Sequence, residues 1–407
     1  MHVLYVHQNF PAQFGHIAGY LIKEHGWKCT FVSQTEPATV AGIRKVRYEP
    51  VGGATRQTHY FSRTFENAVG HAHGVYQALK PMKDTVRPDI IVGHSGFGST
   101  LFLPELWPDV PIVNHFEYFY RVRDSDMDFR SEWPTPEEDV LRSRARNAMI
   151  LLDLENCTAG YSPTLYQHSL LPEAYREKIR VIHDGVDTSF WRRRQVSGDL
   201  IDGLEIPPET RIVTYVSRGM ESMRGFDIFM KVAKRTYETY PDVVFLVVAS
   251  DRVAYGGDLK HIPHQSFKEF VLEQDNYDLE RIRFLGNQQP DTLAQILTLS
   301  DLHIYLTVPF VLSWSVLDAM ACGCVVLGSD TAPVREVISD GRNGLLRGFH
   351  DVEGLAEAAV EVLKDPAAHR ELGAAARRTV EERYSLDTVL PQMLELYEEF
   401  TAERSGS

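Results

Sequence analysis

The sequence predicts an α/β protein made of two doubly wound, Rossmann-like domains, each built on a parallel sheet. Three observations predict it. At 407 residues the chain exceeds one ordinary core and suits two domains of roughly 200 residues. Short, near-continuous apolar runs alternate with amphipathic helical patterns, as expected of parallel strands covered on both faces. The series occurs twice in succession.

In the first half, the apolar runs Val3–His7, Thr30–Ser33, Ile90–Gly93, Ile112–His115 and Val181–Ile182 are bounded by Gly, Pro, Asp or His. Helical patterns lie between them at Phe14–Glu24, Glu66–Leu79, Glu137–Asn156 and Pro163–Leu170. The second half repeats the scheme with Ile212–Val216, Val243–Ala249, Ile282–Leu285, His303–Leu306 and Val325–Leu327. Basic, polar and Gly residues interrupt the pattern over Arg192–Gly203, so domains are expected at 1–195 and 196–385. The segment 386–407, with a helix over about Thr388–Phe400, is expected to pack back on the first domain. In such folds a ligand binds in the crevice at the carboxyl ends of the strands.

Composition narrows the function classes. Hydrophobic residues at 43% and charged residues at 24% are ordinary for a globular protein. A formal charge of −14 argues against nucleic acid as a general partner, because phosphate binding needs a surplus of Lys and Arg. Cys29, Cys157, Cys322 and Cys324 have neither zinc-like nor redox-like spacing, and Cys322-Gly323-Cys324 is read as apolar packing at a helix-to-strand turn. Free thiols fit a reducing cytoplasm. No apolar stretch reaches the roughly 20 residues needed to span a bilayer. Peripheral contact with the inner face of a membrane stays open, with Arg192-Arg193-Arg194 read as a solvated linker instead.

The strongest chemical signal lies between the strands His303–Leu306 and Val325–Leu327. Ser313 is a good N-cap, Val316 to Ala321 is helical, and Gly323 suits the position after the helix. A helix opening at a strand's carboxyl end presents the N–H groups of Ser313, Trp314 and Ser315 and a positive dipole, which suits a diphosphate. Asp318, on the same face as Ser315, could accept hydrogen bonds from a ribose diol or stand exposed on a helix that merely covers the sheet. After Ile212–Val216 comes Ser217-Arg218-Gly219-Met220-Glu221-Ser222-Met223-Arg224-Gly225, where two arginines bracket a loop ahead of a helix. They could clamp a β-phosphate and offset its charge as it departs, or be ordinary surface arginines.

At these residues the chain resembles glycosyltransferase family 4, a retaining family with the GT-B fold, in which two Rossmann-like domains face a deep cleft. Its motif is a Glu, seven residues, then a Glu before Ala-Met-Ala-x-Gly. Asp318-Ala319-Met320-Ala321-Cys322-Gly323 is similar to its second half. Arg218 and Arg224-Gly225 look like the family's Gly-Arg-x-x-x-Lys-Gly pair at the diphosphate, with Arg for Lys and one extra intervening residue. Phe284-Leu285-Gly286, beside the nucleobase in the family, and Val334-Arg335-Glu336-Val337-Ile338 resemble it too. So do Asp340-Gly341-Arg342-Asn343-Gly344-Leu345-Leu346 and, near the hinge, Val181-Ile182-His183-Asp184-Gly185-Val186-Asp187. Two departures stand out: the first Glu falls on Phe310, and the second is the shorter Asp318. Phe310 implies a sugar held mainly by backbone N–H groups, or else lost activity.

The first half should hold the acceptor. In Gln8-Asn9-Phe10-Pro11-Ala12-Gln13-Phe14-Gly15-His16, the first strand–helix loop, Gly15 stands where a backbone would approach the diphosphate and His16 is an acceptor candidate. His94-Ser95-Gly96 follows the third strand and reads equally as a plain turn. His115, with Glu117 just after it, ends the next strand, where many family members carry a histidine beside the donor sugar and acceptor. This segment resembles a bacterial subgroup linked with surface polysaccharide assembly. The resemblance implies front-face attack in which the departing phosphate oxygen takes the acceptor's proton, so His115 is not assigned as general base.

Asp124-Ser125-Asp126 mimics a metal-binding DxD but sits in a polar loop, and His71 and His73 point to different helix faces, so no metal or other cofactor is expected. Arg142, Arg144 and Arg146 are expected to solvate their helix rather than meet an anionic acceptor. The expected function is transfer from a nucleoside-diphosphate sugar to a hydroxyl of a glycan, lipid-linked glycan or small molecule. A GT-B epimerase or phosphorylase, or a non-catalytic nucleotide-sugar or glycan-binding protein, are the alternatives.

Overall fold

Thirteen strands carry the architecture of the computed structural model, which describes residues 1–35, 40–195, 206–207 and 209–402. The first sheet contains β1 (His2–Val6), β2 (Lys28–Ser33), β3 (Ile43–Arg47), β4 (Ile90–His94), β5 (Ile112–His115), β6 (Ala159–Ser162) and β7 (Ile179–Val181). Its order is β3-β2-β1-β4-β5-β6-β7, and every pairing is parallel. The second contains β8 (Arg211–Gly219), β9 (Val243–Ser250), β10 (Ile282–Phe284), β11 (Leu302–Tyr305), β12 (Val326–Ser329) and β13 (Leu345–Arg347). It runs β10-β9-β8-β11-β12-β13, again parallel throughout. In each sheet the order reverses direction beside the first strand, which places a crevice at the carboxyl ends of its central strands.

The helices that position functional residues are α1 (Gly15–His25), α2 (Arg63–Leu79), α3 (Glu137–Arg146), α4 (Ala148–Asn156), α5 (Phe226–Thr239), α6 (Trp314–Ala321) and α7 (Leu386–Ala402). The single helix expected over Glu137–Asn156 is two, broken at Asn147. Asn147 leaves the helical pattern because its side chain is spent on the backbone of Tyr120, accepting from its N–H at 2.9 Å and donating to its carbonyl at 2.9 Å.

The chain divides into one unit of Met1–Arg123, Thr135–Gly185 and Leu386–Ser407, and a second of Asp124–Pro134 and Val186–Ser385. The division falls at Gly185 and Val186 rather than at 195, and the expected linker from residue 196 to 203 lies outside the described residues. Residues 186–195 side with the second unit because Val186 N–H donates to Tyr384 O at 2.8 Å and Arg377 reaches the carbonyls of Thr188 and Trp191. In the first unit, α7 lays Val389, Met393, Leu396 and Tyr397 into the core that also holds Tyr5, Phe14, Phe31 and Tyr161. All four cysteines are buried and free.

Candidate active site

In the second unit, β8 delivers the cationic loop. Its register with β9 shifts between Val216 and Gly219, a bulge that turns Ser217 and Arg218 out of the ladder. Ser217 folds its hydroxyl onto Gly219 O at 2.6 Å, and exposed Arg218 reaches the Tyr255 hydroxyl at 3.3 Å. A short 3-10 turn, Ser222–Arg224, then ends on Gly225 at φ 61, and α5 begins. Positive φ favours Gly there, and an added Cβ would also lie 2.8 Å from Leu306 Cβ.

Arg224 is buried, with only 3% of its surface exposed. It donates to Thr307 Oγ1 at 2.8 Å and Tyr305 Oη at 3.4 Å, between the rings of Tyr255 at 5.4 Å and Phe310 at 5.8 Å. Among the described residues it has no ion-pair partner. Its neighbour Glu221 is committed elsewhere: Oε2 accepts from the N–H groups of Ala254, Tyr255 and Gly256 and so holds Tyr255 over both arginines. Burial raises the Glu221 carboxyl above its ordinary value. Glu221 acts on Arg224 only through space, without an ion-pair contact, and a buried cation so weakly compensated favours an anion beside it.

The start of α6 adjoins Arg224 through Tyr305. Tyr305 Oη, which accepts from Arg224, also accepts from Ser313 N–H at 2.9 Å, and Ser315 Oγ donates to Val216 O at 3.3 Å. Ser313 is the N-cap, accepting from Ser315 N–H at 3.3 Å. Two of the three N–H groups expected to face a ligand are therefore engaged within the protein, because the cap and Tyr305 satisfy them first. Trp314 is 49% exposed. Asp318 is half-buried, and among the described residues no donor hydrogen-bonds its carboxylate; burial pushes its carboxyl well above the usual range. Phe310 is buried and tilted against Tyr255, with ring centroids 5.5 Å apart. Gly286, at φ 64 after β10, turns the strand end where only Gly is readily accommodated.

The first unit forms a recess of about 350 Å³ lined by His94, Ser95, Gly96 and Glu117 together with Asn67, His71, Tyr120 and Arg146. Asp153 on α4 sets the loop after β4: it accepts from Ser95 Oγ at 3.0 Å and Gly96 N–H at 2.7 Å, and burial raises its carboxyl to about 7. The His94 Nδ1 lies 2.9 Å from Ser95 O. A carbonyl only accepts, so Nδ1 carries the proton, and burial lowers the ring's pKa. The Nε2 of neutral His94 is then an acceptor, 3.7 Å from Glu117 Oε2.

In the first half His115 and Arg146 need correction, while Gly15 and His16 lie apart from the recess. His115 is fully buried and away from the recess lining, between the rings of His94 at 4.8 Å and Tyr161 at 4.9 Å, with Nε2 3.4 Å from Asp184 Oδ1. It supports His94 from behind; β5 ends one layer beneath the surface. Gly15 opens α1 because a Cβ there would stand 2.9 Å from Pro11 Cγ, a local packing reason. His16 is exposed and does not line the recess. Arg146, expected to be solvated, lines it instead, with its guanidinium 3.7 Å above the Tyr120 ring and donating to the Tyr120 hydroxyl at 2.5 Å.

The DxD-like segment and the two histidines each have local partners. Ser125 caps the helix Asp126–Phe129 in a capping box with Asp128. His71 meets Tyr48 Oη while His73 meets Gln77. Among the described residues no three His, Cys, Asp or Glu side chains could hold a metal, and no helix is long and apolar enough to cross a membrane. Sequence reasoning missed Tyr255, Tyr305, Thr307, Glu221 and Asp153, whose parts depend on contacts far apart in the chain.

The family model described as glycosyl transferase family 4 group matches residues 25–191, and that of glycosyl transferases group 1 matches 198–379. The N-acetyl-alpha-D-glucosaminyl L-malate synthase of Bacillus anthracis is 28% identical over 239 residues, 58% of either chain. The chain thus spans somewhat over half the length of that curated relative. Sucrose-phosphate synthase from Thermosynechococcus elongatus superposes with a TM-score of 0.73 at 18% identity over 99% of both chains. Anabaena HepE, solved in complex with UDP and glucose, gives 0.69 at 15% identity, covering 98% of this chain and 100% of its own. Two parallel sheets and both model matches agree: the chain belongs to the glycosyltransferase family 4 group and has the GT-B type of fold, with two Rossmann-like units.

Proposed function

We propose that this protein transfers a sugar from a nucleoside-diphosphate sugar to an acceptor hydroxyl, with retention of anomeric configuration. The observation that carries the proposal is Arg224, a buried cation that makes no ion-pair contact with a carboxylate among the described residues and that a diphosphate would neutralise. Arg218 extends the positive field at the bulge, and the unbonded Asp318 carboxylate suits the two hydroxyls of a ribose. Ser217 and Gly286 line the path of the nucleotide; Phe310 and Trp314 flank the sugar with Ser313 and Ser315.

In the reaction, the bond from sugar C1 to the β-phosphate oxygen breaks as C1 bonds to the acceptor oxygen on the same face. The acceptor's proton passes to the leaving phosphate oxygen. The two arginines stabilise the charge that develops there, the largest single term in catalysis of this kind. They supply this without a metal, so chelation by EDTA should leave turnover unchanged.

The recess on the first unit takes the acceptor, with His94 Nε2 and Glu117 on its hydroxyls. Arg146, which has no carboxylate partner among the described residues, favours an acceptor bearing an anionic group, as does the L-malate named for the Bacillus relative. UDP, present with HepE, is the first nucleotide to try. A thermal-shift screen across UDP-, GDP-, ADP-, CMP- and dTDP-sugars tests the donor: a ligand at 100 times its Kd adds about 2.7 kcal/mol of stability. Products are then assigned by the anomeric coupling in NMR. Stabilisation by none of these donors would sink the proposal, and donor turnover without acceptor would favour an epimerase.

A further inference from the structure

One stretch of the first half of the chain is built into the second unit. Residues 124–134 follow β5 and precede α3, both in the first unit, yet they pack with the second. Phe129 meets Phe349 edge-on at 5.4 Å and stacks on His350 at 5.5 Å. Trp133 sits among His261, Phe267 and Phe270, at 5.9, 5.8 and 5.6 Å.

Between these aromatic anchors lies Arg130, itself only 5% exposed. Its NH1 donates to Ser222 O at 2.8 Å and Asp227 Oδ1 at 3.0 Å, and its NH2 to Asp227 Oδ2 at 2.7 Å. The Nε donates to Glu132 Oε1 at 2.8 Å, and the guanidinium lies 5.2 Å from the Phe349 ring centre. Ser222 opens the turn that ends in Arg224, and Asp227 lies in the first turn of α5 just beyond it. Arg130 thus grips the backbone before Arg224 and the side chain after it. Ser222 is held on its other side by Asp258, which accepts from its N–H at 2.8 Å and its hydroxyl at 2.5 Å.

We infer that Arg130 is a positioning residue for the anion-binding turn: it fixes Ser222 and Asp227 so that Arg224 is aimed before ligand arrives. The inference rests on the reading of Arg224 as the phosphate-binding group. Planarity is the reason an arginine stands here. One fork spans both Asp227 oxygens and a carbonyl at once, which a lysine's point charge cannot do. Pre-aiming matters because an unpaired buried guanidinium would otherwise swing toward any available acceptor, and every degree of freedom frozen beforehand is one the ligand does not have to freeze.

The test uses the full chain, Arg130→Lys and Arg130→Gln, with hydrogen exchange across residues 221–227 and UDP binding by calorimetry. Exchange in this turn should rise about tenfold in both variants while that of β8 and β9 stays unchanged, and UDP should bind about tenfold more weakly. Arg130→Lys should recover only part of the loss. As a control for general loosening, Phe129→Leu removes an anchor of the same segment and should leave UDP affinity within about twofold of wild type. Equal UDP affinity in wild type and both Arg130 variants overturns the inference and leaves the proposed function standing. A wild-type chain that binds neither UDP nor any other nucleoside diphosphate overturns both.

Discussion

Phe310 lies against Arg224, its ring centre 5.8 Å from the guanidinium carbon, at the position that the resemblance to the family motif would give to a glutamate. An aromatic face attracts the cation without neutralising it, so the guanidinium keeps its full charge for a ligand. Phe310→Glu should place a carboxylate beside Arg224 and raise its apo melting temperature, while nucleoside diphosphate binds about tenfold more weakly as the new carboxylate competes. Calorimetry with UDP on both proteins decides it; tighter binding in the variant would show that the glutamate is simply missing.

Truncating Arg224 separates a ligand-binding cation from a structural one. Arg224→Ala should lower turnover by about 10²–10³-fold, the usual cost of losing one preorganised charge donor. Its apo stability should stay level or rise, because an unpaired buried charge leaves the core. A large loss of apo stability in urea melts, with turnover nearly intact, would return Arg224 to the fold.

Asp318 is assigned to a diol, and a pair of ligands checks that. Asp318→Ala should weaken UDP by about 1.5–3 kcal/mol, the range for hydrogen bonds to a charged group. With a 2′,3′-dideoxy nucleotide the same substitution should cost almost nothing. Equal losses with both ligands would place Asp318 elsewhere.

Asp153 gives a pH signature. Burial raises its carboxyl from 3.8 to about 7, so between these values the folded protein holds a proton that the unfolded chain has released. Its contribution to stability is therefore full below pH 3.8 and lost as the pH rises through 7. The slope approaches about 1.4 kcal/mol per pH unit inside that window. Asp153→Asn should remove that slope from urea melts between these pH values. It should also preserve the bond to Ser95, whose hydroxyl can still donate to an amide oxygen. An unchanged slope would mean that another group titrates.

Both sheets were legible in outline because their central strands are continuous apolar runs, and α6 with its Ser313 cap was legible from residue type alone. The edge strand β3, Ile43-Arg44-Lys45-Val46-Arg47, was not: a strand whose side chains face water carries charges and leaves no apolar run. Nor was β6, Ala159–Ser162, too short for any periodicity. Motif spacing singled out Arg218, Arg224 and Asp318, for which a donor role is proposed, but misjudged His115. A histidine at the end of a strand reads the same whether the strand stops at the surface or one layer below it. Tyr305 and Glu221 escaped notice because each acts on backbone that no local pattern connects to it.

The way α7 completes the first unit sets the order in which the molecule can be made. Tyr397 closes over Tyr5, yet the ribosome adds the whole of the second unit between them. At about 5–20 residues per second, β1 waits many seconds with an apolar flank uncovered while the later unit is already able to fold. That interval is when a nascent chain of this design is most in need of a chaperone, and a stop codon just before Leu386 should yield an aggregating product with a well-formed second unit.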